Sequence, residues 1–394
     1  MSIFTCRADF LPFSPPSVSP LEISEMTAAV KSGWWAKGPR TQQFEEAFAA
    51  YTGAKYAVGV NSCTAALHIA LIAAGVRSGD EVITTPYTFC STVNTILHVG
   101  ATPVFVDIDP DTGLMDPRLA EAAITPRTKA IVPVHFSGMA CDLDALYALA
   151  DRHGLFVSED AAHAVETRYK GKRIGGGAPG AVSFSFYATK NLATGEGGML
   201  CTDRKDIAER ARMLASHGMS AGAWNRYGKG GAWRYEVEEP GFKYNMFDLQ
   251  AALGLAQLER MPQLQADRLA AAAVYDKAFA GMPQLALQEN PAYSTHSRHL
   301  YVLRLRPEAL AIDRDQFIQE LAARNIGASV HFIPVHLLHA YQRRYGFKPG
   351  DFPLAEAFFA QEISMPLHAG LSAADAAYVT EAVRDIVAAH LADI

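Results

Sequence analysis

Residues 156–201 read FVSEDAAHAVETRYKGKRIGGGAPGAVSFSFYATKNLATGEGGMLC. An apolar run ends in two carboxylates, Glu159 and Asp160, and His163 follows closely. A second apolar run, Ala181–Tyr187, stops just short of Lys190. Strands of this kind belong to open parallel sheets, whose ligands bind outside the carboxyl ends of the strands. Asp160 and Lys190 could meet at one such crevice. A solvated surface ion pair is the plainer alternative, because most charged side chains lie in water.

The same rhythm extends upstream. Tyr56–Val60, Glu81–Thr85, Thr102–Val106, Ala130–Val134 and Leu155–Ser158 have strand character. They alternate with segments of helical period at Thr64–Ala74, Ser91–Val99, Pro117–Ala123 and Leu143–His153. Strand–helix alternation implies right-handed crossovers and a mostly parallel α/β sheet. Downstream, residues 216–245 are glycine-rich and aperiodic, a stretch expected to be functional or mobile. A long Ala/Leu/Gln helix, kinked at Pro262, is expected from Met246 to about Gly281. Strand-like His299–Leu305 and Gly327–Phe332, with helices at Arg314–Arg324 and from Ala373, suggest a smaller α+β unit. The expected division is 1–255, a large α/β domain with an N-terminal arm, and 256–394, a connecting helix and small C-terminal domain.

Composition narrows the function. The 394 residues carry 35 Lys+Arg against 41 Asp+Glu, a net charge of −6, which argues against a broad nucleic-acid surface. No run reaches the roughly 18 apolar residues of a spanning helix. The N-terminus is broken by Arg7, Asp9 and four prolines, unlike a secretory signal. Five scattered cysteines without a CxxC pair read as reduced thiols, so a cytoplasmic location is expected. The 13 histidines show no metal-ligand spacing, and the GGGAPG cluster at 175–180 sits in no strand–GxGxxG–helix frame.

One chemistry uses a strand-end acid and lysine together. An enzyme of pyridoxal 5'-phosphate needs a lysine to hold the aldehyde as a Schiff base and an acid beside the pyridine nitrogen. It also needs a phosphate cradle. VGVNSCTAALHIAL, residues 58–71, offers one: a strand, then Asn61, Ser62, Cys63 and Thr64, then an amphipathic helix whose N-terminus suits an anion. Ser62 is the expected N-cap, and Ser183 and Ser185 could add donors.

These segments resemble the DegT/StrS family of sugar aminotransferases, which have the fold-type I, aspartate-aminotransferase-like architecture. Matching stretches are SGWWAKGP (32–39), NSCTAALHIAL (61–71), GDEVITTPYTF (79–89), GATPVFVDID (100–109) and PRTKAIVPVHFSG (126–138). EDAAHA (159–164), SFSFYATKNLATGEGGM (183–199), HGM (217–219) and GFKYNMFDLQAALGLAQL (241–258) continue the match in order. The resemblance implies that Lys190 is the Schiff-base lysine and Asp160 the partner of the pyridine nitrogen. His163 would approach the phenolic oxygen and Phe89 stack on the ring. Cys63, Thr64 and Ser185 would bind phosphate. Asn245 would be lent to the neighbouring subunit's phosphate, implying a homodimer with shared sites. Glu166 stands where relatives commonly have glycine.

The resemblance further implies transfer of an amino group from L-glutamate, leaving 2-oxoglutarate, to C4 of a UDP-linked 4-keto sugar. The wording is most like UDP-4-amino-4-deoxy-L-arabinose–oxoglutarate aminotransferases. Residues 329–372 look more like enzymes of UDP-2-acetamido-2,6-dideoxy-4-keto-hexoses. His331, Trp35, His135 and Tyr187 are candidates for the sugar pocket, which the 216–245 stretch would cover. A pyridoxamine-dependent dehydratase would carry histidine in place of Lys190. A non-enzymatic cofactor-binding regulator is the remaining alternative.

Overall fold

The computed structural model describes residues 4–219 and 235–392. Residues 220–234, the middle of the glycine-rich 216–245 stretch expected to cover a substrate, therefore lie outside the described residues.

Helices α1 (Pro20–Lys31) and α2 (Pro39–Thr52) open the chain, each with proline in its first turn, where a missing N–H costs no helical hydrogen bond. Alternation then begins: β1 (Tyr56–Val60), α3 (Cys63–Ala73), β2 (Glu81–Thr84), α4 (Cys90–His98), β3 (Thr102–Phe105), α5 (Pro117–Ala122), β4 (Thr128–Val132), α6 (Leu143–His153) and β5 (Phe156–Asp160). The short strands β6 (Arg168–Tyr169) and β7 (Lys172–Arg173) precede β8 (Ala181–Ser185), β9 (Gly198–Thr202) and α7 (Lys205–Leu214). After α8 (Asp248–Phe279) come β10 (Leu285–Leu287), β11 (Ser294–Thr295), β12 (Tyr301–Leu305), α9 (Arg314–Ala323), α10 (His339–Tyr345), α11 (Pro353–Gln361), β13 (Glu362–Met365) and α12 (Ala373–Ala389).

Seven strands form the main sheet in the order β1-β9-β8-β5-β4-β2-β3. The pairs β2–β3, β2–β4, β4–β5 and β5–β8 are parallel, whereas β9 runs antiparallel to both neighbours. Every residue of β8 and β9 is buried, which explains their continuous apolar runs. Because β3 and β4 lie on opposite sides of β2, strand order reverses there. The carboxyl ends of β2, β4, β5 and β8 thus open on one crevice.

The smaller core is built on the sheet β10-β12-β13, covered by α12 and the second half of α8. Helix α8 runs unbroken through Pro262 for 32 residues. Its first half contributes Ala251 and Met261 to the large core, and its second half contributes Ala271, Tyr275 and Phe279 to the small one. The boundary expected at 255/256 therefore falls inside this helix. The N-terminal arm also differs from expectation: Leu11 sits in the small core, its backbone paired with Asn325 and Gly327. Gly327–Phe332 forms no strand beyond one bridge from Ser329 to Ser364, because side-chain hydrogen bonds take over at His331. No helix among the described residues is long and apolar enough to cross a membrane.

Candidate active site

Successive residues of a strand face opposite ways, and at the end of β5 this separates two adjacent carboxylates. Asp160 turns to the crevice. Its Oδ2 accepts from Thr92 Oγ1 at 2.7 Å and its Oδ1 from the Ala162 N–H at 3.1 Å. Thr88 Oγ1 lies 2.8 Å from Thr92 Oγ1 and completes the chain of hydroxyls. Burial raises the Asp160 carboxyl above its ordinary value, and the Thr92 and Ala162 donors oppose that rise. A cation at this carboxylate would favour its ionised form. Glu159 turns the other way, where it accepts from His135 Nε2 at 2.8 Å and from the Tyr147 hydroxyl. His135 is wholly buried in that network and does not line the crevice, which corrects its expected place in a sugar pocket.

Lys190 follows β8 and lines the same cleft, a space of about 490 Å³. Desolvation pulls its ammonium down to about 8, against the opposing pull of Cys63 and Asp160. Its Nζ lies 3.5 Å from His299 Nε2. The other nitrogen of that ring faces Asn191 Oδ1 at 3.0 Å, and Asn191 Nδ2 points to the Ser297 carbonyl at 3.3 Å. With the amide so oriented, His299 carries its proton on Nδ1 and offers Nε2 as an acceptor to the lysine. His163 is held the opposite way: its Nδ1 accepts from the Ser137 N–H at 3.3 Å, so a neutral ring carries its proton on Nε2. Burial and Lys190 keep that ring neutral, well below its ordinary pKa. Its face stacks on Phe332, with centroids 5.7 Å apart.

The N-terminus of α3 forms one end of the cleft. Ser62 is its N-cap, accepting from the Ala65 N–H at 3.1 Å, and Ser62, Cys63 and Thr64 line the cleft. The first N–H groups of a helix have no acceptor within it, so those of Cys63 and Thr64 suit an anion. Gly198 shows how closely the strand approaches this turn. A Cβ there would lie 2.5 Å from Ser62 C and 2.6 Å from Cys63 N. The Cys63 thiol is buried 3.4 Å from the Ser183 carbonyl, and burial pushes it well above its ordinary value, so it stays a neutral donor. Ser185 lines the cleft from the end of β8.

Phe89 also lines the cleft and is 57% exposed, so core packing does not account for it. Tyr187 and His331 are there too. Trp35 is not: its indole N–H donates to the Val30 carbonyl at 3.1 Å, on an exposed turn. Asn245 does not line the cleft of its own chain. Its backbone bridges to Val60, its Nδ2 donates to the Met246 carbonyl at 3.0 Å, and its buried Oδ1 has no donor among the described residues. Glu166 has φ of +74°, the left-handed region that glycine occupies freely, and Arg173 Nε ties its carboxylate at 3.1 Å. Sequence reasoning missed Thr88, Thr92, Asn191, His299 and Phe332. Three of them carried a positional signal: Thr88 directly precedes Phe89, Thr92 lies near the start of α4, and Asn191 directly follows Lys190.

The residues fit pyridoxal phosphate. The cleft offers a lysine of lowered basicity and a buried carboxylate that a cation would stabilise. It also offers a neutral histidine with an Nε2 proton and a tight helix N-terminus against which Gly198 leaves no room for a side chain. No group of three or more His, Cys, Asp or Glu placed to hold a metal ion occurs among the described residues.

Known proteins agree with this chemistry. The model of the DegT/DnrJ/EryC1/StrS aminotransferase family matches residues 16–384. The spore coat polysaccharide biosynthesis protein SpsC of Bacillus subtilis is 55% identical over 382 residues, which cover 97% of this chain and 98% of SpsC. Spr1654 of Streptococcus pneumoniae, solved in PLP and PMP forms, is 36% identical, with TM-scores of 0.89 and 0.90 over 96% of this chain and 99% of that one. Helicobacter pylori PseC, an aminotransferase involved in the biosynthesis of pseudoaminic acid, is 32% identical, with a TM-score of 0.89 over 97% of this chain and 100% of PseC. The chain belongs to the DegT/DnrJ/EryC1/StrS family of sugar aminotransferases, pyridoxal-phosphate-dependent transaminases of fold-type I.

Proposed function

We propose that this enzyme moves an amino group from L-glutamate to C4 of a UDP-linked 4-keto sugar, with a UDP-4-keto-pentose as the first candidate. The observation that carries the reading is the convergence of Lys190, Asp160 and the α3 N-terminus on one cleft. When bound, pyridoxal phosphate supplies an electron sink. In our assignment Lys190 would hold the cofactor and could carry a proton at Nζ when not bonded to it. Asp160 would serve the ring nitrogen, His163 Nε2 would offer its proton to the phenolic oxygen and Phe89 would cover the ring. Cys63, Thr64 and Ser185 would hold the phosphate, the first two through their N–H groups. Asn245 would serve the cleft of a second copy, making a homodimer with shared sites; its Oδ1, buried in the single chain, would have to turn outward to do so. The exposed Trp34, Trp35 and Phe247 support such an interface.

A UDP-2-acetamido-2,6-dideoxy-4-keto-hexose is the second candidate, favoured by residues 329–372 and by the likeness to PseC. The likeness to SpsC supports a surface polysaccharide as the destination rather than lipid A. The five free cysteines support a cytoplasmic location. The test is to convert the enzyme to its amino form with glutamate and offer it each UDP-4-keto sugar. Return of the yellow form with one sugar identifies the substrate. Return with neither removes the UDP-sugar reading.

A further inference from the structure

His331 enters the cleft from the small-domain side, held at three points. Its N–H donates to Glu362 Oε2 at 2.9 Å, its carbonyl accepts from the Tyr87 hydroxyl at 2.6 Å, and its ring Nδ1 lies 2.8 Å from Ser364 Oγ. Ser364 Oγ is in turn 2.5 Å from Glu362 Oε1. Glu362 and Ser364 are fully buried on β13, whereas His331 lines the cleft and its Nε2 makes no hydrogen bond among the described residues. A continuous line of hydrogen bonds thus joins a buried carboxyl group to the imidazole of a residue that lines the cleft, and leaves Nε2 as the ring nitrogen outside that line.

A serine hydroxyl has one proton to give, so this line has two self-consistent arrangements. With Glu362 protonated, its O–H donates to Ser364 Oγ, Ser364 donates to His331 Nδ1, and the imidazole proton sits on Nε2. With Glu362 ionised, Ser364 donates to the carboxylate, His331 Nδ1–H donates to Ser364, and Nε2 is a bare acceptor. Passing from the first to the second releases one proton at Nε2. Each proton behind it shifts one place, and the negative charge comes to rest on Glu362.

We propose that Glu362, relayed by Ser364, sets whether His331 donates or accepts a hydrogen bond at Nε2, and that this nitrogen meets a hydroxyl oxygen of the sugar substrate. The proposal rests on the sugar reading above only for the identity of that oxygen. The surroundings suit a relay rather than a simple imidazolium. Around His331, desolvation leads in pulling the ring down to about 4 and Lys190 further opposes positive charge; the His163 ring lies 6.4 Å away, and His299 is near enough to interact with His331 electrostatically. Around Glu362, desolvation pushes the carboxyl up to about 8, although Ser364, the His331 amide and Arg314 from α9 favour the ionised form. Tyr87 faces it from the loop after β2, and Arg304 is its register partner on β12.

The test is nitrogen NMR of the holoenzyme carrying 15N-labelled histidine, over roughly pH 6 to 10, with the His331 signals assigned by His331→Gln. The wild type should show the proton on Nε2 at the lower end and on Nδ1 at the upper end, with a midpoint near 8. Glu362→Gln should abolish the exchange, and Ser364→Ala, which needs no buried charge to be replaced, should abolish it independently. Each variant should also lower kcat/KM for the keto sugar roughly 3- to 10-fold, the worth of one hydrogen bond, and more than for glutamate. A single tautomer at every pH in the wild type, or an exchange that persists in both variants, overturns the relay. Because the NMR signal needs no sugar, a relay that works in an enzyme inert to UDP-keto sugars would overturn only the substrate reading.

Discussion

The two walls of the cleft are built on different principles. The large-domain floor places Asp160, His163 and Lys190 at or just beyond the ends of central strands, and backbone or side-chain partners fix the tautomer of each nearby imidazole. The small-domain wall places His331 on an irregular segment, where a buried acid and a serine leave its tautomer open. Preorganisation at the floor suits chemistry common to every substrate. An adjustable donor at the wall suits the part of the reaction that changes with the sugar.

The comparison predicts unequal losses. Lys190→Arg keeps the charge and most of the bulk but cannot take over the cofactor, so turnover should fall by at least about 10³-fold in both half-reactions. Asp160→Asn removes the charge meant for the ring nitrogen and should cost roughly 10²–10³-fold, again in both halves, as measured by single-turnover absorbance. His331→Gln should cost only about tenfold, concentrated in the keto-sugar half-reaction. A loss for His331→Gln as large as that for Asp160→Asn, shared equally by the two halves, would erase the distinction between the walls.

A smaller effect concerns pH. An amine reacts with an aldehyde when neutral, and the lowered value of Lys190 makes it so above about 8. Capture of pyridoxal phosphate by the apoenzyme should therefore speed up with rising pH and level off near there. A lysine of ordinary basicity would keep accelerating for about two further pH units.

Much of the floor was legible because local rules govern it. Ser62 precedes an apolar helical run, and Asp160 and Lys190 each follow a buried strand, so their placement needs only strand–turn–helix geometry. His135 was misplaced because the alternation along β5 sends Glu159, and with it His135, to the far side of the sheet. The relay was not legible at all. Glu362 and Ser364 lie some thirty positions beyond His331, on a strand whose pairing with β12 depends on the assembled small domain. His299 and Asn191 are likewise joined only by tertiary packing, 108 positions apart. The division expected at 255/256 falls within one continuous helix that serves both cores, a sharing that local sequence does not reveal.

The assignment of Lys190 and Asp160 as the cofactor site of a glutamate-using transaminase is tested most directly by the visible spectrum of the purified, cofactor-loaded protein before and after addition of L-glutamate. A yellow band should bleach on addition of glutamate and be missing from Lys190→Arg. A band that ignores glutamate, or one that survives unchanged in Lys190→Arg, would contradict the assignment.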